Sequence, residues 1–132
     1  MKTAIVAVLA LAAAVAAYAV DGKAPLGAPA AAASGVREFK SVNIEVKGNK
    51  IWTPSFFVVK KGDKVKITLI NTAPSGVHAF AIEGIAGTEA SVDNKEGANT
   101  KTVEFTADKA GIFRIYCPLH AGHVGGQLLV LE

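Results

Sequence analysis

The chain predicts an all-β fold, a Greek-key sandwich or barrel of about seven to eight strands. Apolar and polar residues alternate with a period of two over most of the chain beyond residue 36, as strands with one buried face require. Clusters of Gly, Pro, Asn and Asp interrupt that alternation at short intervals, as tight turns between strands would. Helical spacing finds little support in the same region.

Residues 1–19 read as a signal peptide. Lys2 supplies a positive start, Thr3 to Ala17 form an uncharged apolar run, and Ala17-Tyr18-Ala19 fits the small-x-small rule that predicts cleavage after Ala19. The run is shorter than the roughly 18 to 20 residues a membrane-spanning helix needs, so a membrane anchor is expected only if the leader stays uncleaved. Residues 20–35 read as a tether, because Ala24 to Gly35 carry no charge and are rich in Ala, Pro and Gly. Residues 36–132 then form one domain, large enough to close a core without disulfides.

Within that domain three segments alternate clearly. Val42, Ile44 and Val46 alternate with Asn43, Glu45 and Lys47, which predicts a strand with the three aliphatic residues inward. Val65, Ile67 and Leu69 alternate with Lys64, Lys66 and Thr68, and Val103 and Phe105 with Thr102, Glu104 and Thr106. Each reads as an antiparallel strand. Turns are expected at Lys47-Gly48-Asn49, Lys61-Gly62-Asp63, Ala73-Pro74-Ser75-Gly76, Asp108-Lys109-Ala110-Gly111 and Gly125-Gly126. Gly84 to Asn99 lack a strand pattern and read as a long connection with at most a helical turn. Trp52, Phe56, Phe57, Phe80, Phe105 and Phe113 read as core.

The formal net charge is +3, and losing Lys2 with the leader leaves +2. The lysines are scattered and read as solvated strand edges, with a mild basic face as the alternative. No interleaving of aromatic and basic residues points to nucleic acid.

The chemistry concentrates near the C-terminus. Cys117-Pro118-Leu119-His120-Ala121-Gly122-His123 hold the single cysteine and two of the three histidines. The third, His78, shares parity with Phe80 and Ile82, while Cys117 shares parity with Phe113 and Ile115, so both are expected to face the core. A lone cysteine cannot form an internal disulfide, and in an oxidising exterior its free thiol is protected by a metal. Thiolate with imidazole points to copper or zinc. The glycines at 122, 125 and 126 let the loop return to Gln127–Leu131. Gln127 and Glu83 are weaker rivals to His123 for the fourth ligand position.

These residues resemble a known family. Phe56-Phe57-Val58-Val59-Lys60-Lys61-Gly62-Asp63, Asn71, His78-Ala79-Phe80, Phe105-Thr106-Ala107-Asp108-Lys109-Ala110-Gly111 and the Cys117 to His123 loop are similar to those of the cupredoxins, small copper proteins of the plastocyanin and amicyanin type. The absence of any methionine but Met1, with the lysine-glycine-aspartate turn, most resembles the red copper proteins called nitrosocyanins. The resemblance implies a Greek-key sandwich with one copper ion near one end. It implies copper binding by His78, Cys117 and His120, and by His123 where the family usually has methionine. Nitrosocyanin has a glutamate where this chain has His78 and a longer ligand loop, whereas the gap from His120 to His123 is that of amicyanin.

An imidazole in place of a weak thioether is a stronger donor, which should favour Cu(II) over Cu(I), and the resemblance implies a red or green rather than a blue site. The expected function is an exported, periplasmic or extracellular, monomeric copper protein that carries single electrons. Redox partners are expected to dock near Pro118, Leu119, His120 and Ala121. The alternatives are a small-molecule-binding or catalytic copper protein acting on nitric oxide or related nitrogen oxides, copper storage or delivery, and a structural zinc site.

Overall fold

Strict alternation along Lys64–Asn71 settles where the core lies, because Val65, Ile67, Leu69 and Asn71 are buried while the residues between them are not. The computed structural model describes residues 35–132. The expected leader and most of the expected tether, residues 1–34, lie outside the described residues. Nine strands follow one another: β1 (Val36–Val46), β2 (Asn49–Thr53), β3 (Phe56–Lys60), β4 (Lys64–Asn71), β5 (His78–Ile82), β6 (Ala90–Val92), β7 (Thr100–Thr106), β8 (Gly111–Tyr116) and β9 (Gly126–Leu131). They form two sheets, in the orders β2-β1-β4-β7 and β3-β9-β8-β5-β6. No helix occurs among the described residues. The all-β expectation holds, with nine strands rather than seven or eight.

The core fills the space between the sheets. Ile67, Leu69 and Val103 from one side meet Phe57, Phe80 and Leu128 from the other. Burying side chains of this size contributes roughly 1.5–3 kcal/mol each relative to exposure. Trp52 also lies in this core and donates its indole N–H to the Ala79 carbonyl at 2.9 Å, so its one polar atom is satisfied.

Two pairings differ from the expected antiparallel scheme. β1 runs parallel to β4 and β3 runs parallel to β9. Both follow from one crossing, since the hairpin β1–β2 belongs to the first sheet and β3 opens the edge of the second. The hairpin turns on Lys47 and Gly48, with φ of 50° and 82°, the two-residue mirror-image turn whose twist suits adjacent strands.

The inward face of β1 is the reverse of that expected. The register sets Phe39 beside Ile67, Ser41 beside Leu69 and Asn43 beside Asn71. Partners in register share a face, so the alternation of β4 imposes its parity on β1. Ser41 and Asn43 are therefore fully buried, Val42 and Ile44 only half-buried, and Val46 exposed. Phe56 also departs from its expected core position and is 53% exposed, because Phe57 takes the inward place on β3. Gly84 to Asn99 contain the short strand β6 between turns, and β6 covers β5, all five of whose residues are buried.

Candidate metal centre

His78 opens β5, and Cys117 follows the last residue of β8; β5 and β8 pair antiparallel, which brings the two residues together at one end of the second sheet. Both are buried. The Ala79 amide donates to the Cys117 sulfur at 3.3 Å, a contact that ties the cysteine to the residue after His78.

Beyond Cys117 the chain makes two linked turns. The His120 amide reaches the Cys117 carbonyl at 3.4 Å, and the His123 amide reaches the His120 carbonyl at 3.1 Å. A turn of this kind returns the chain every third residue, which is why Cys-x-x-His-x-x-His can put all three side chains near one point. The loop's end is then fixed, as the Val124 amide donates to the Lys50 carbonyl at 2.8 Å and Val124 bridges Ile51 of β2.

The potential ligand atoms of His78, Cys117 and His123 all lie within 4.8 Å of one another. His120 closes the cluster from the solvent side, with Nδ1 3.5 Å from the Cys117 sulfur and its ring 4.7 Å from that of His78. All four expected residues therefore converge. Glu83 and Gln127, the rivals for the fourth place, are both exposed and their backbone amides bond to Arg114 and Ser55.

Burial disfavours the protonated form of two of the imidazoles, His78 and His123. Burial pushes the pKa of His78 down to about 4, helped by His120, His123 and Lys50 and opposed by Glu45. Burial also lowers that of His123, against the Val124 carbonyl, with smaller contributions from His120 and Lys50. Neutral imidazole is the form with a lone pair to give a metal.

The donor set fits a thiophilic d-block cation. His78 Nε2 is held by the Ser75 hydroxyl at 3.0 Å, while its Nδ1 is buried and has no partner. An unpartnered buried nitrogen costs free energy that a cation would recover. Glu45 Oε2 is the other buried side-chain atom without a partner among the described residues. Glu45 and Lys50 are cross-strand partners in the β1–β2 hairpin. Reading β1 with its aliphatic residues inward hid Glu45 and Asn43. Only the β1–β4 register reveals them.

No curated protein matches the chain. Solved structures do. A copper nitrite reductase from Nitrosomonas europaea is 22% identical over 74% of this chain and 42% of its own, with a TM-score of 0.60. A blue copper oxidase from the same organism is 18% identical over 74% and 39%, with a TM-score of 0.54. A multicopper oxidase that functions in iron import is 14% identical over 74% and 23%, with a TM-score of 0.58. The chain thus spans well under half the length of these proteins, and the likeness is one of fold. The sequence pattern of the cupredoxin-like domain matches residues 4–130, which with this sandwich topology establishes that the chain belongs to the cupredoxin-like domain family.

Proposed function

We propose that this domain is an exported mononuclear copper protein that carries single electrons between redox partners, its ion held by His78, Cys117, His120 and His123. The observation that carries the proposal is the convergence of one thiol and three imidazoles in one place, with His78 Nδ1 buried and unpartnered. Copper bound there would supply a one-electron couple.

The chain's own residues would hold and shield it. Pairing of β5 with β8, the Ala79 amide on the sulfur and the Ser75 hydroxyl on His78 fix two donors before any ion arrives, which limits rearrangement between oxidation states. His123 offers an imidazole where a thioether is usual, which supports a non-blue, red or green site. His120 is exposed, and Leu119 and Val124 beside it are 52% and 44% exposed, forming with Pro118 and Ala121 an apolar rim suited to brief docking of a redox partner. Export rests on the expected leader, and a monomer is the proposed state. No helix among the described residues is long and apolar enough to cross a membrane.

Metal analysis of protein from cells supplied with copper and zinc, followed by redox titration, tests this. About one copper per chain with a reversible one-electron couple is expected. Stoichiometric zinc would overturn the proposal.

A second reading, binding of a small nitrogen oxide in the manner of nitrosocyanin, is favoured by Glu45. Its unpartnered buried carboxylate oxygen lies close enough to His78 for its charge to be felt there, and the resemblance to nitrosocyanin, which has a glutamate in its own site, makes a carboxylate beside the cluster the relevant feature. A spectral change of the copper-loaded protein on adding nitrite, azide or nitric oxide would support it, and an unchanged spectrum would remove it.

A further inference from the structure

His123 is held from behind by a buried amide network. Asn71 Nδ2 donates to the carbonyls of Gly76 and Val92 at 2.7 and 2.9 Å, and its Oδ1 accepts from the Ala73 amide at 3.1 Å. Three backbone groups therefore fix which end of the Asn71 amide is oxygen. Asn43 Nδ2 donates to that same Oδ1 at 3.1 Å, so Asn43 in turn cannot flip. Its own Oδ1 must face outward, and it meets His123 Nε2 at 3.2 Å. An oxygen fixed as an acceptor requires a donor opposite.

His123 Nδ1 has a competing acceptor, the carbonyl of Val124 at 3.2 Å. Neutral imidazole carries one proton and can serve only one of the two. The Val124 contact is exposed, so water can satisfy that carbonyl, whereas Asn43 is fully buried and its oxygen has no such substitute. Leaving a buried acceptor unmet costs about 1–3 kcal/mol, more than the exposed contact returns.

We propose that Asn43, oriented by Asn71, is a positioning residue that holds the proton of His123 on Nε2 and leaves Nδ1 as the atom His123 presents to the ion. The part concerning the ion rests on the proposed role of His123 as a ligand. The part concerning the proton stands on the network alone. The β1 strand thereby fixes, before metal arrives, which nitrogen of the loop histidine is the donor.

The test is the ring-nitrogen NMR of metal-free protein labelled with ¹⁵N-histidine, at a pH where the imidazoles are neutral. For His123 we expect a protonated Nε2 and an unprotonated Nδ1. Asn43→Ala should shift the tautomer ratio toward Nδ1–H by about fivefold, the equivalent of one ordinary hydrogen bond. A wild-type His123 protonated on Nδ1 overturns the proposal even if no variant folds, and so does an Asn43→Ala ratio equal to that of the wild type. Copper content measured in parallel keeps the two ideas apart. A protein that binds no copper yet shows the Nε2–H form loses the ligand reading and retains the assignment of Asn43.

Discussion

His78 is the residue on which the acid behaviour of the metal-free protein turns. It is fully buried and its pKa lies at about 4 rather than 6.5. Between those values the unfolded chain takes up a proton that the folded chain refuses, so stability falls as the pH drops from 6.5 toward 4. The loss should approach about 3 kcal/mol, and His123, shifted in the same direction, adds to it. Denaturant midpoints of metal-free protein at pH 7.5 and pH 5 check this, and equal midpoints would contradict it. Glu45 acts at the same scale through its charge. Removing that charge in Glu45→Gln should raise the reduction potential of the copper-loaded protein, because a nearby carboxylate favours the more positive ion. Voltammetry of the variant reads the shift directly, and an unchanged or lower potential would show that Glu45 is not felt at the site.

Among the elements, the junction of β3 and β9 holds the return of the ligand loop. A side chain at Gly126 would collide with the Ser55 carbonyl, and the adjacent Gln127 amide donates to that same oxygen at 2.8 Å. Gly126→Ala should therefore cost about 1–3 kcal/mol by forcing backbone apart, visible as a lowered unfolding midpoint. A midpoint within error of the wild type would mean that this approach is not tight. The strands also show what could be read in advance. On β4, β7 and β8 the alternation gave the inward faces correctly, since Ile67, Val103 and Ile115 are buried and Arg114 is exposed. On β1 it misled, because Val42, Ile44 and Val46 alternate as cleanly as the residues of β4 yet lie on the outer face. Their parity is decided by a partner strand more than twenty residues away along the chain. Asn43 and Glu45 were invisible as site residues for the same reason. Local hydrophobicity cannot encode a long-range register, whereas the Cys117 to His123 spacing is itself local and was legible at once.

For the molecule as a whole, the apolar rim around His120 should control encounter rather than the ion's own properties. Leu119→Glu places a charge in the middle of that rim and should slow electron exchange with a partner by about tenfold, while leaving the spectrum of the copper-loaded protein unchanged. Stopped-flow exchange with a small inorganic oxidant serves as the control. If exchange with a protein partner is unaffected, docking occurs elsewhere. The sandwich itself was legible from alternation and turns, although its two parallel pairings were not, because they arise from the crossing of the chain between sheets after β2. The central claim is that His123 supplies an imidazole to copper where a thioether is usual. The visible absorption and electron paramagnetic resonance spectra of copper-loaded wild type and His123→Met test it most directly. The wild type should be red or green, with its main thiolate band at shorter wavelength than in His123→Met, which should turn blue. A wild type with an ordinary intense blue band, unchanged by the substitution, would contradict it.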